Sequence, residues 1–269
     1  MLKVIDAISR RNPLGIVSDL NGTIHTGIYG NICADIIYHL DRRLIYNGKY
    51  KDLWEKAKNH WATPMEWEDR VRGVPGLLRD FAVTNIDWVD SGLYTIRNTK
   101  IEKPTKELLE VINTVPSVEF HIFTGSEKNI VKEFLNSRIS KHVPNAKIEI
   151  YGTNLKYDGG RYFTGDVEEP LWNSENRAKK ARELTLNKIS VGIGNSLSND
   201  WNMLEQETQS YFLTGPVTAY LNGYTKGNIS CIKRENLSGE LKKFLKSDLK
   251  EIMPRIAGIN PPPIIARRF

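Results

Sequence analysis

Short apolar, β-branched runs recur along this chain, and each gives way to a polar loop. They fall at Gly15–Leu20, Glu119–Phe123, Lys147–Tyr151, Lys188–Ile193, Ser210–Leu213 and Asn228–Ile232. Runs this short and this apolar predict strands buried on both faces. Between them the apolar spacing becomes helical. Leu108, Leu109 and Ile112 share one face of 104–115, with Pro104 near the start of the helix. Ile130, Val131, Phe134 and Leu135 share one face of 127–135, and Ser174 is placed to cap a helix running to Leu186. Strands alternating with helices predict an α/β fold, a doubly wound and mainly parallel sheet covered on both sides.

Two stretches break the alternation. Residues 26–98 carry helical patterning and no convincing buried strand, and they hold Trp54, Trp61, Trp67 and Trp88. That is too long for an ordinary connection, so an inserted helical subdomain is expected. The aromatics of this insertion read first as its own core. The second stretch, Leu155–Thr164, sets Asp158-Gly159-Gly160 between alternating aromatic runs, which predicts a β-hairpin. The expected organisation is a core of 1–25 and 99–248, a helical cap of 26–98, and a Pro-rich tail of 249–269.

Composition narrows the picture modestly. The 269 residues are 40% hydrophobic and 26% charged, ordinary for a globular chain. A net charge of +6 favours anionic ligands, but no basic stripe interleaved with aromatics points to nucleic acid. The two cysteines, Cys33 and Cys231, lie in apolar runs without CxxC spacing. They read as buried hydrophobes rather than metal ligands, in keeping with a reducing cytoplasm. No signal-peptide pattern and no long apolar span is seen, so no membrane association is expected. Oligomeric state is not legible.

Ligands of parallel α/β sheets bind beyond the carboxyl ends of the strands, and chemistry collects there. The first strand ends in Asp19-Leu20-Asn21-Gly22-Thr23. A carboxylate leaving a buried strand is placed for nucleophilic attack, although Asp-x-Asn-Gly is also turn chemistry. The second ends in Phe123-Thr124-Gly125-Ser126 before a helix. Free amides and a hydroxyl there form an anion site, unless Thr124 or Ser126 only caps the helix. The fourth ends in an oxygen-rich loop, Gly194-Asn195-Ser196-Leu197-Ser198-Asn199-Asp200. With Asp19, it offers hard oxygen donors suited to Mg²⁺, and capping by Asn199 or Asp200 is the alternative.

Taken in order, these loops resemble the haloacid dehalogenase-like superfamily of aspartate-nucleophile phosphatases, in its phosphoserine phosphatase-like branch. The helical cap between the first two loops and the hairpin of 157–165 resemble that branch as well. The resemblance covers most of residues 14–245. It implies a Rossmann-like hydrolase core in which Asp19 attacks phosphorus and becomes an aspartyl-phosphate. It also implies that Asp19, the carbonyl of Asn21, Asn195 and Asp200 hold Mg²⁺, and that Thr124 and Gly125 bind phosphate oxygens. The remaining phosphate-binding cation would come from the helix before the fourth loop. The helical register favours Arg177, with Lys179 and Lys180 as alternatives.

Three positions depart from the family pattern. Asn21 stands where the hydrolases carry a second aspartate, and an amide can neither protonate a leaving group nor activate water. Asn195 replaces another aspartate and removes a charge from the metal site. The stretch Ile24–Tyr29 lacks the acid that would meet a serine amine. His25 lies close to Asn21, and its ordinary pKa would suit a replacement acid. The leading expectation is a Mg²⁺-dependent phosphatase or phosphotransferase acting on a small phosphorylated metabolite. The alternatives are a catalytically weakened phospho-ligand binder and a halide-displacing relative in which Asp19 attacks carbon.

Overall fold

The computed structural model describes residues 13–168 and 171–246 in full, and the helical backbone of 247–256. Eight strands form one sheet in the order β4-β3-β2-β1-β5-β6-β8-β7. These are β1 (Leu14–Asp19), β2 (Val118–Glu127), β3 (Ala146–Asp158), β4 (Tyr162–Glu168), β5 (Ser190–Gly194), β6 (Gln209–Thr214), β7 (Thr225–Lys226) and β8 (Ile229–Lys233). β3, β2, β1, β5, β6 and β8 run parallel, while β4 and β7 pair antiparallel at the two edges. The sheet is thus the expected mainly parallel, Rossmann-like α/β arrangement with helices on its faces. β1 sits at the centre between β2 and β5, and all six of its residues are buried. That explains why its sequence is a continuous apolar run rather than an alternating one.

Nine helices accompany the sheet among the described residues. Four lie between β1 and β2: α1 (Ile32–Arg42), α2 (Leu53–Ala62), α3 (Trp67–Asp80) and α4 (Asn85–Asn98). The others are α5 (Lys103–Asn113), α6 (Lys128–Phe134), α7 (Ser174–Thr185), α8 (Trp201–Leu204) and α9 (Leu237–Ile256). The helical insertion packs into the same hydrophobic core as the strands. Tyr50, Leu53, Leu78 and Trp88 are fully buried in it. Asp87 ties the start of its own helix to the loop before α2, accepting from Thr84 Oγ1 at 2.8 Å, from Lys49 Nζ at 2.8 Å and from the Tyr50 hydroxyl.

The hairpin supports this insertion. β3 is one continuous strand of 13 residues whose first half pairs with β2 and whose second half pairs with β4. Gly159 and Gly160, at φ of 52° and 75°, make the turn in a backbone region that side-chain-bearing residues rarely enter. Asn85 N donates to Arg161 O at 2.8 Å, and Trp88 meets Phe163 edge-on at 5.7 Å.

Several expectations change in detail. The cap of α7 is Asn173, which accepts from Asn176 N, and not Ser174. α9 continues to Ile256, past the boundary expected at 248, and 257–269 lie outside the described residues. The short edge strand β7 carries no apolar run and gave no signal in the sequence. Both cysteines are free and buried, as expected. Among the described residues no helix is long and apolar enough to cross a membrane.

Candidate active site

Asp19 is the last residue of β1 and opens onto a cavity of about 620 Å³. One wall is the strand-end loops of the sheet, and the other is formed by α1, α2 and α3. Arg177, on α7, reaches across the sheet end and is 2% exposed. Its Nη1 donates to Asp19 Oδ1 at 2.9 Å and to Asp200 Oδ1 at 2.6 Å, and its Nε donates to the Trp172 carbonyl at 2.7 Å. Asp200 Oδ2 accepts from the amides of Asn195 and Ser196, both at 2.9 Å. Asp200 therefore clamps its own loop and does not cap α8, where its side chain makes no capping bond.

The charges do not cancel. Two buried carboxylates share one guanidinium. Burial and the neighbouring Asp200 push Asp19 up to about 8, although Arg177 pulls the other way. A carboxyl kept protonated for want of a second counter-charge is the kind a bound cation would ionise. The donor set fits a hard divalent ion: Asp19, Asn21, Asn195 and Asp200 all line the cavity. Asn195 Nδ2 sits 3.1 Å from the Asn21 carbonyl oxygen. Turning that amide would set two neutral oxygens side by side. Among the described residues no three His, Cys, Asp or Glu side chains cluster as a metal site. A cation would thus rest on two carboxylates, neutral oxygens and water, as Mg²⁺ commonly does.

Asn21 is a junction rather than an acid. Its Nδ2 donates to Thr124 Oγ1 at 3.1 Å and Ser126 Oγ at 3.0 Å, and its Oδ1 accepts from Ile32 N at 3.2 Å. One side chain thereby joins the first loop, the second loop and the start of α1. Gly22 cannot be replaced here: its φ is +74°, and a Cβ would lie 2.1 Å from Asn195 Nδ2. Arg234 holds the same loop from the far end of the chain, donating to the Gly22 and Thr23 carbonyls. No local pattern around Arg234 announced this.

The second loop departs from expectation in a useful way. Thr124 is fully buried, and its hydroxyl accepts from Asn21 Nδ2 and Ser126 N. Gly125 and Ser126 are the residues that line the cavity. Neither Thr124 nor Ser126 caps α6; Glu127 does, accepting from Asn129 N and Ile130 N. The insertion presses on this loop, since a Cβ on Gly125 would lie 3.0 Å from the Trp67 ring. The same ring stands 5.6 Å from the Arg177 guanidinium carbon.

Two candidates do not reach the site. Lys180 Nζ bonds Glu183 at 3.1 Å on the outer side of α7, and Lys179 is exposed. Of the three cations weighed on α7, Arg177 is the one beside Asp19. His25 is no replacement acid. It is 1% exposed, its Nε2 lies 3.1 Å from Asp35 Oδ2, and its ring packs edge-on against Phe134.

No family model matches this chain, and no curated protein matches it. Solved structures do. A Bordetella pertussis Tohama I protein of unknown function superposes with a TM-score of 0.56 at 14% identity, over 82% of this chain and 99% of that one. A 2-haloacid dehalogenase from Pseudomonas syringae gives 0.49 at 12%, over 86% and 99%. A candidate HAD-hydrolase from Bacillus subtilis, solved with magnesium bound, gives 0.48 at 15%, over 85% and 98%. At 14% identity, what the Bordetella pertussis protein shares with this chain is the fold.

Proposed function

We propose that this protein is a Mg²⁺-dependent phosphatase or phosphotransferase of the haloacid dehalogenase-like type, acting on a phosphomonoester through an Asp19 nucleophile. The observation that carries the reading is the set of groups around one carboxylate. Asp19 ends the central strand, touches Arg177, faces the Gly125–Ser126 loop and opens onto the cavity. The order of the loops along the sequence supports the same family.

In this reading the Gly125 amide and the Ser126 hydroxyl receive the phosphate oxygens. Arg177 orients Asp19 and offsets charge on the transferring group. Asp19 then bonds phosphorus as the ester oxygen departs, leaving an aspartyl-phosphate. A bound divalent cation would supply further neutralisation of the phosphoryl charge. Asn21 holds no proton for the departing oxygen and cannot activate water. Hydrolysis of the aspartyl-phosphate is therefore the slow half of the cycle, and general acid–base help worth ~10²–10⁴-fold is missing.

The full use of the Asn21 side chain in structural hydrogen bonds favours a second reading, a phospho-ligand binder that turns over little. One experiment separates the two. p-Nitrophenyl phosphate, whose leaving group needs no acid, is supplied with and without Mg²⁺ beside an Asp19→Asn control. Mg²⁺-dependent release that disappears in the control establishes aspartate-based transfer. Absence of release from folded protein with Mg²⁺ present leaves the binder.

A further inference from the structure

The cap side of the cavity differs in chemistry from the strand-end side. Its wall is aromatic: Tyr29, Trp54, Trp61 and Trp67 all line it. Tyr29 is 44% exposed, so its ring is not simply core. Tyr29 and Trp54 lie with ring centroids 4.3 Å apart at 40°, and Trp61 stands edge-on to Trp54 at 6.1 Å. These rings form a continuous surface, not scattered contacts.

Most polar side chains near that surface are already engaged: Lys58 pairs with Glu55 at 2.8 Å, while Arg70, also in the lining, is exposed. Asn31 Oδ1 accepts from Cys33 N and Ala34 N, capping α1. Glu127 caps α6, and Thr153 Oγ1 donates to the Gly125 carbonyl at 2.9 Å. A polyhydroxylated group entering here would give up hydrogen bonds to water and find few in return, which is costly. A flat, apolar ring would lose little and stack on the exposed aromatic faces. The volume, about 620 Å³, is ample for a phosphate and a fused ring.

From this we infer that the organic part of the substrate is a flat aromatic ring system on a short linker to phosphate, not a sugar or an amino acid, and that Trp61 and Tyr29 select it. The inference rests on the phosphomonoester reading above for its phosphate end. Trp67 is a less direct contributor, because Arg177 and Gly125 already occupy its neighbourhood.

The test uses alkyl phosphates with comparable leaving groups, so that reactivity does not imitate recognition. Full-length protein with Mg²⁺ is given 2-(1-naphthyl)ethyl phosphate, ethyl phosphate, glucose 6-phosphate and phosphoserine, with p-nitrophenyl phosphate as a general probe. The naphthyl ester is expected to exceed ethyl phosphate in kcat/KM by on the order of 30-fold, with glucose 6-phosphate and phosphoserine no better than ethyl phosphate. Trp61→Ala and, separately, Tyr29→Ala are expected to lower the naphthyl-to-ethyl ratio by about tenfold each. Two variants at separate positions keep the test open should one fail to fold. Turnover of all esters without ring preference overturns this inference and leaves the phosphatase reading standing. No turnover of any ester, p-nitrophenyl phosphate included, fails the phosphatase reading instead. In that case tryptophan quenching by 2-(1-naphthyl)ethylphosphonate against ethylphosphonate decides the ring site: tighter binding of the naphthyl compound sustains it, and equal or absent binding ends it.

Discussion

The two walls of the cavity put polar side chains to different use. On the strand-end wall, polar groups tie different loops together: Arg177 joins Asp19 to Asp200, and Asn21 joins the first loop to the second and to α1. On the cap wall, Asn31 serves its own helix, Lys58 pairs with Glu55, and aromatic rings are left facing the space. Chemistry belongs to the wall where charge converges and is imperfectly balanced. The other wall offers shape and stacking.

The sharpest challenge to this contrast is Asp19→Asn, expected to lower Mg²⁺-dependent phosphate release by at least ~10³-fold, since the nucleophile itself is removed. Steady-state release from p-nitrophenyl phosphate, with folding checked by circular dichroism, measures it. Arg177→Met comes next. It leaves two buried carboxylates facing each other and should cost about 3–5 kcal/mol of stability at neutral pH. Urea unfolding would show it. The loss should deepen above pH 8, where Asp19, held at about 8 in the parent, must ionise with no cation beside it. A neutral outcome would mean that the charges at this wall are balanced in some other way.

Asn21→Asp sharpens the contrast from the side of gain. It should raise steady-state turnover by about 10²-fold and remove a pre-steady-state burst of phosphoenzyme, the general acid–base group having been restored. Quenched-flow measurement with radiolabelled substrate distinguishes that from a change in binding.

Glu207 is a control in the core. It is 5% exposed, and neither of its oxygens has a hydrogen-bond partner; Ser190 and Thr185 lie near enough to relieve only part of the burial that pushes it up to about 7. A carboxyl raised on folding is protonated in the native state while the unfolded chain has already ionised. Stability therefore falls as pH rises from the ordinary glutamate range of about 4.5 through 7, and the penalty is complete above that. Glu207→Gln should be roughly 1–3 kcal/mol more stable than the parent at pH 8, with little gain at pH 4. Thermal unfolding at the two pH values tests the sign. The smallest effect belongs to the cap wall. Asn31→Ala should cost about 1 kcal/mol through the lost cap, and Asn31→Asp should recover most of it. A large effect on the naphthyl-ester KM that Asn31→Asp does not rescue would show that Asn31 serves ligand as well as helix.

Much of this was legible before the fold was seen. The apolar runs marked β1, β2, β5 and β6 because strands buried on both faces leave no room for polar alternation, whereas β3, only half-buried over 146–151, and β8, buried at alternate positions, were found by their β-branched residues. Asp158-Gly159-Gly160 marked the hairpin because both glycines take positive φ. Asp19 and Asp200 stood out because carboxylates at strand ends are conspicuous. Arg177 was separable from its basic neighbours by helical register with Ala181 and Leu184, yet register could not show that two carboxylates would bracket it.

The sequence by itself determined the layers, the buried strands, the helical insertion and the order of the polar loops, because those follow from local periodicity and chain direction. Only the tertiary structure decided which oxygen or nitrogen faces the cavity. Thr124 was sealed away from the cavity while Ser126 became part of its lining, His25 was drawn to Asp35, and Arg234 closed on Gly22 from more than two hundred residues away. Those outcomes depend on partners brought together by the sheet order, and a buried polar atom takes whichever partner the fold brings within hydrogen-bond reach.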